Sequence, residues 1–277
     1  MSRPKPQKEK HTKKVVVVIV EGPSDKALLE VSLSEFFEQK YGEDTITKFA
    51  MFEHDDGTYG TDITSLHGSN PEKIEMLINK KIILPALEVD GLFAKHITEI
   101  VHIIDTDGTF IPDDKVVSLT EESLNPQKNV YYYEDHISAV DVGSILERNH
   151  RKTDNINQLL KYCKDGFPVR KYVSTETRGN KPSTKSSVAP YSLYFFSCNM
   201  DHFTSGEQNW TGSKLALAEN FLKNNGEGFD ELKAFFDATD PDTSAMTLSD
   251  SWQYIAEGIN SLQRHSNLGI LFRTLPE

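Results

Sequence analysis

Residues 15–20 are six consecutive β-branched positions, Val-Val-Val-Val-Ile-Val, with no polar alternation. An unbroken apolar run of that length predicts a strand buried on both faces, as in a parallel sheet covered by helices. Gly22-Pro23-Ser24-Asp25 then turns the chain, with Pro23 suited to a first helical position, where its missing N–H costs nothing. Leu29, Leu33, Phe36 and Phe37 follow at helical spacing as far as Tyr41-Gly42. Residues 46–52 predict a second strand, and 55–60 (DDGTYG) are rich in turn formers. Pro71 opens a second helix with Ile74, Leu77 and Ile78 facing inward, which Pro85 stops or kinks. Residues 100–104 are again continuously apolar and end in Asp105-Thr106-Asp107-Gly108. This strand–helix alternation is the βαβ rhythm of a parallel α/β sheet.

Further along, 130–133 and 191–196 predict strands, and 145–163 predicts a helix between them. Residues 172–187 are polar, rich in Ser and Thr, and carry Arg178, Lys181 and Lys185, which predicts a long exposed loop. From Leu215 onward the pattern is helical: Leu215, Ala218 and Leu222, then Leu232, Phe235 and Phe236, then Trp252, Ile255, Ile259 and Leu262 in a closing helix. The fold class expected is α/β, a mostly parallel sheet flanked by helices with a mixed or helical C-terminal extension. In segments, 1–13 is a basic arm expected to be disordered, 14–205 an α/β domain with its motif core in 14–110, and 206–277 a helical region.

Charge and cysteine content narrow the classes. With 30 basic and 42 acidic residues the net charge is −12, which excludes nucleic-acid binding by overall cationic attraction. It leaves room for a local basic channel, or for a metal that screens phosphate. The two cysteines, Cys163 and Cys198, match no zinc spacing and build no disulfide framework, so a reducing, cytoplasmic setting is expected. The apolar run of residues 15–20 stops at Glu21, far short of the roughly 20 residues a membrane-crossing helix needs.

The candidate chemistry lies where the strands end. Glu21 follows the first apolar strand, and Asp105 and Asp107 follow the third. Parallel strands end on one edge, so these carboxylates are expected within roughly 10 Å of each other, two inter-strand spacings. Asp25, one helical turn after Glu21, can face the same crevice. Crowded carboxylates repel unless a cation neutralises them, and oxygen donors without Cys or His favour magnesium or manganese over zinc. Glu134, after the 130–133 strand, is a further candidate ligand. Arg148, Arg151 and Lys152 form a basic cluster that would track a phosphate backbone, or else a solvated helix face, and Lys181 and Lys185 are further candidates for nucleic-acid contact.

Two segments, VVVVIVEGPSD at 15–25 and VHIIDTDG at 101–108, together resemble the Toprim domain shared by topoisomerases, primases, recombination-repair proteins and nucleases of the overcoming-lysogenization-defect type. The resemblance covers roughly residues 13–110. It implies that Glu21 acts as general acid/base and metal ligand, that Asp105 and Asp107 hold the metal, and that Asp25 serves a second ion. Two-metal phosphodiester hydrolysis follows from it. The chain carries no recognisable strand-passage, priming or ATPase module, so the resemblance implies a stand-alone nuclease, an anti-phage effector working with a separate ATPase. Two other readings stay open. Asp105-Thr106-Asp107-Gly108-Thr109 also resembles the first motif of haloacid-dehalogenase-type phosphatases, with Asp105 as nucleophile. A catalytically silent Toprim scaffold is the other.

Overall fold

The computed structural model describes residues 13–120, 128–175 and 179–275, with the side chains of 172–175 and 179–185 left out. The predicted arm therefore lies outside the described residues except for Lys13, and Arg178 lies outside them too.

The protein is α/β. Its central sheet is four parallel strands in the order β2-β1-β3-β9. These are β1 (Lys14–Ile19), β2 (Thr45–Ala50), β3 (Ile97–Asp105) and β9 (Tyr191–Phe196). The register sets Val16 opposite Thr47 on one side and Glu99 on the other, and Ile104 opposite Phe195. The 15–20 run is uniformly apolar because both sheet faces are covered. Val15, Val17 and Ile19 enter one core, and Val16, Val18 and Val20 enter the other.

The first core is closed by α4 (Val142–Asp165), by α9 (Leu248–Ile255) and by a long irregular helix. That helix runs as α2 (Ile74–Ile78), a π turn (Asn79–Ile83) and α3 (Leu84–Glu88). Pro85 does not stop it. The π turn absorbs the missing N–H, and the carbonyl of Lys81 that a residue 85 amide would have met accepts instead from Glu53 N–H at 3.2 Å. The second core is closed by α1 (Pro23–Tyr41), α6 (Lys214–Asn225), α7 (Phe229–Thr239) and α10 (Gly269–Phe272). The short helix α5 (Met200–Ser205) follows β9, and α8 (Pro241–Ala245) follows α7. No helix among the described residues is long and apolar enough to cross a membrane.

Three expectations are corrected. Residues 172–175 and 179–187 are not loop: β7 (Phe167–Thr175) and β8 (Gly179–Ala189) pair antiparallel, anchored by buried Phe167, Val169 and Ala189. Polar composition hid strands whose backbone bonds satisfy each other. The 130–133 strand is real but joins another sheet. β5 (Val130–Tyr132) pairs antiparallel with β6 (Ile137–Ala139), which pairs with β4 (Val116–Ser118) over a small separate core. The closing helix ends at Ile255, because Gly258 takes a φ of 57° that leaves the helical region, and Leu262 belongs to a short 3₁₀ turn.

Phe36 joins α1 to the C-terminal helices, its ring 4.9 Å from Phe37, 5.3 Å from Phe229 and 5.9 Å from Phe272. Phe36→Ala is expected to cost about 3–5 kcal/mol in urea unfolding, the range for a fully buried aromatic. A loss under about 1 kcal/mol would contradict this shared core.

Candidate functional site

The chain places β2 on one side of β1 and then crosses to put β3 on the other, so strand order reverses between β1 and β3. Ligand crevices of open parallel sheets form at the carboxyl end of such a switch point. Glu21 and Asp105 stand there in contact: Glu21 Oε1 accepts the Asp105 N–H at 2.9 Å. Asp105 Oδ1 in turn accepts the N–H of Met200, at the start of α5 after β9, at 2.9 Å. Three neighbouring strand ends are thus tied through two carboxylates.

Asp25, in the first turn of α1, accepts the N–H of Gly22 at 2.9 Å and so caps that helix. The capping role and a ligand role draw on different oxygens, since Gly22 uses Oδ2 and Oδ1 meets only Ser24 Oγ at 3.3 Å.

Asp107 sits in a strained turn. Its φ is 51°, and it donates its N–H to the carbonyl of Cys198, itself at φ 58°, across 2.7 Å. Two non-glycine residues in the left-handed region, bonded to each other, hold the Asp-Thr-Asp turn against the end of β9. Thr106 Oγ1 accepts from Cys198 N–H and donates to Ser261 O. Gly108, at φ 66°, is required by space as well, since a Cβ there would stand 2.5 Å from Leu262 Cδ2.

The structure adds residues that the motif pattern did not name. Lys152, fully buried, places its ammonium 2.6 Å from Asp62 Oδ2, 2.7 Å from Asp107 Oδ2 and 4.0 Å from Glu21 Oε1. Asp62 comes from the loop between β2 and α2 and is oriented by accepting the N–H and hydroxyl of Thr64. That loop also presses on the first turn: a Cβ on Gly60 would lie 3.2 Å from Glu21 O. On the far side Lys214, 60% exposed at the start of α6, is 3.0 Å from buried Asp201. The spacing of α4 carried one usable signal: Lys152 lies on its inward stripe with Ile145, Asn149, Ile156 and Leu159, a core position for a lysine. Asp62 has no such signal.

The other candidates fare differently. The expectation that Lys152 lies on a phosphate-tracking surface is corrected, because its stripe faces the core. Arg148 also turns inward, donating to Asp107 O at 2.9 Å and to the Tyr132 hydroxyl at 3.1 Å. Arg151 donates to Ser65 O at 3.1 Å. Glu134 is exposed in the β5–β6 turn, and none of the site carboxylates contacts it, because its strand belongs to the separate sheet. Lys181 and Lys185 fall on β8, with side chains outside the described residues.

Electrostatics divide the cluster. Burial, with the Asp62 charge second, pushes the Glu21 carboxyl well above its usual range against the opposing pull of Lys152. Burial, then Asp25 and Asp107, does the same to Asp105. Burial raises Asp25 too, against the Gly22 N–H and Lys214. For Asp62 the burial penalty is outweighed by Lys152 and by hydrogen bonds, so its carboxyl sits low. Lys152 is held firmly protonated: burial alone would lower it, but Asp107, Asp62 and Glu21 overcome that.

These donors suit a hard divalent cation in kind, being all carboxylate oxygens, and the upward pressure on Glu21, Asp25 and Asp105 marks negative charge that the lysines leave uncompensated. As spaced, no three Asp, Glu, His or Cys side chains among the described residues already close on one point. Fold and site together define an α/β protein with an acidic crevice at the switch point of a parallel sheet. Comparisons with protein-family models, with curated proteins and with solved structures each found no match.

Glu21, Asp25 and Asp105 each bind protons more tightly folded than unfolded, so each stabilises the fold at low pH, and that stability is lost as pH rises from about 4 through the raised values. Asp62, held low, acts oppositely only below its ordinary value of 3.8. His102 and His202, lowered from 6.5 to about 4 chiefly by burial, act the other way as pH rises to about 6.5, so metal-free protein should show the carboxyl loss of thermal stability above that pH. Asp105→Asn, whose amide oxygen still accepts from Met200, should raise Tm at pH 8 and flatten the slope. A wild-type Tm that climbs above about pH 6.5 would contradict the charge assignment.

Proposed function

We propose that this chain is a nuclease that hydrolyses nucleic-acid phosphodiesters with magnesium or manganese. The observation that carries the reading is the direct contact of Glu21 with Asp105 at the switch point, inside a carboxylate cluster with surplus negative charge. A catalytically silent scaffold gains nothing from burying like charges, which costs stability. A phosphatase with Asp105 as nucleophile has no use for Glu21, yet Glu21 accepts the amide of Asp105 itself. The resemblance of residues 13–110 to the Toprim domain supports the same reading.

In this reading Glu21, Asp25 and Asp105 would hold the cation. When bound, a divalent ion supplies positive charge to polarise the phosphoryl oxygen and to acidify water. Glu21, its carboxyl raised by burial and by Asp62, is suited to hold and release a proton. Lys214 reaches solvent from the same edge, beside Asp201, and is placed to meet a phosphate oxygen. Lys152 and Arg148 orient Asp107 from behind. The net charge of −12 opposes unaided binding of a polyanion, which accords with the separate ATPase that the resemblance implies as a delivering partner.

Single-turnover cleavage of labelled DNA and RNA with magnesium or manganese tests the proposal. Glu21→Gln and Asp105→Asn keep the accepting oxygens and should each lower the rate about 10²–10⁴-fold. Wild-type protein that cuts neither polymer but hydrolyses a simple phosphate ester, with loss in Asp105→Asn alone, would replace the nuclease by the phosphatase.

A further inference from the structure

Among the described residues the outer strand of the sheet, β2, pairs on one side only, with β1. Ala50 turns its carbonyl to the N–H of Val20, and backbone direction alternates along a strand, so the N–H and C=O of Phe49 face the open edge. Against that edge lies a cavity of about 200 Å³, lined by Phe49, Met51, Tyr59, Ile82, Pro85 and Val89. Two of these keep much of their surface in solvent, Tyr59 at 55% and Val89 at 84%.

The cavity is joined to the crevice through the backbone. Residues 53–59 turn back on themselves, with Glu53 bridging Tyr59 and the N–H of His54 donating to Thr58 O at 2.9 Å. Gly60 then donates its N–H to Phe52 O at 3.0 Å and approaches the first turn so closely that a Cβ would stand 3.2 Å from Glu21 O. Successive residues, Tyr59 and Gly60, thus line the cavity and touch the crevice. Charge selects the occupant. Lys48, the basic residue of the lining, is already paired with Asp90, and Glu53 lines the cavity too. A phosphate would meet no uncompensated cation there. An uncharged planar ring finds apolar walls, a tyrosine face to stack on, and the edge groups of Phe49 for its polar atoms.

We infer that this cavity is a nucleobase subsite, in which a base flanking the scissile phosphodiester stacks on Tyr59. The inference rests on the nuclease reading and adds to it a place that senses bases beside one that senses phosphate.

Fluorescence anisotropy of short labelled single-stranded RNA and DNA of mixed sequence, with calcium in place of magnesium, measures binding to the full-length protein. An abasic chain of the same length is the control. Tyr59→Ala, shown to be folded by circular dichroism, should bind the base-bearing chain about 5–150-fold more weakly, the loss of one stacked base, and should bind the abasic chain as wild type does. Tyr59→Trp should retain binding, and its added fluorescence should be quenched by the base-bearing chain only. Unchanged affinity in Tyr59→Ala, equal losses on both chains, or no binding by wild type would each overturn the inference. So would self-association of wild type that Tyr59→Ala abolishes, which assigns the cavity to a second copy. Metal-dependent cleavage, measured separately, stands through all of these, whereas base-dependent binding by a wild type that cuts neither polymer removes the nuclease reading and keeps the base subsite.

Discussion

Carboxylates drawn together out of water repel one another, and this fold gathers six at one edge of its sheet: Glu21, Asp25, Asp62, Asp105, Asp107 and Asp201. Two lysines answer them from opposite sides, Lys152 from beneath and Lys214 from the rim. Much of the architecture around the crevice follows from that balance. Helix α4 lies where its inward stripe delivers an ammonium to two acids, and the loop after β2 folds back over α4 because Asp62 completes the pair. The arrangement is stable only as a unit, since removing either partner leaves a buried charge alone.

Backbone geometry secures what charge alone would leave loose. Asp107 and Cys198 both adopt positive φ, a conformation costing on the order of 1–3 kcal/mol at each non-glycine residue. They are over-determined from several directions: each other's backbone, Thr106, the Ser261 carbonyl and the Leu262 side chain against Gly108. The 3₁₀ turn near the C-terminus therefore reaches the crevice, and α6 and α7 before it share the second core with α1. The C-terminal region thus braces the turn that carries the chemistry, as well as covering the sheet.

The same structure explains how a strongly acidic chain accommodates a site for an anionic substrate. Positive charge near the crevice is spent internally by Lys152 and Arg148, so little of it is offered to solvent. Lys214, at the start of α6, is exposed. A crevice built this way holds more negative than positive groups, and attraction of a polyanion depends on what neutralises it.

Legibility in the sequence tracked distance along the chain and the strength of local pattern. The run of residues 15–20, the helix after Pro23 and the apolar strand before Asp105 declared a parallel sheet, because burial on both faces demands unbroken β-branched residues. Direction then placed Glu21 and Asp105 together, since parallel strands share an edge. The pairing of β7 with β8 stayed hidden under polar composition, because strand pairing satisfies backbone groups whatever the side chains are. Asp62 stayed hidden for a different reason: it meets Lys152 across 90 residues, and no local period reports so distant a contact. The lysine was visible as a basic residue and misread as surface, although its place on the stripe of α4 already pointed inward. Local chemistry and chain direction determined the strands and the acids at their ends. Tertiary packing alone decided which cation those acids would face, because a buried charge takes its meaning from whatever the fold brings against it.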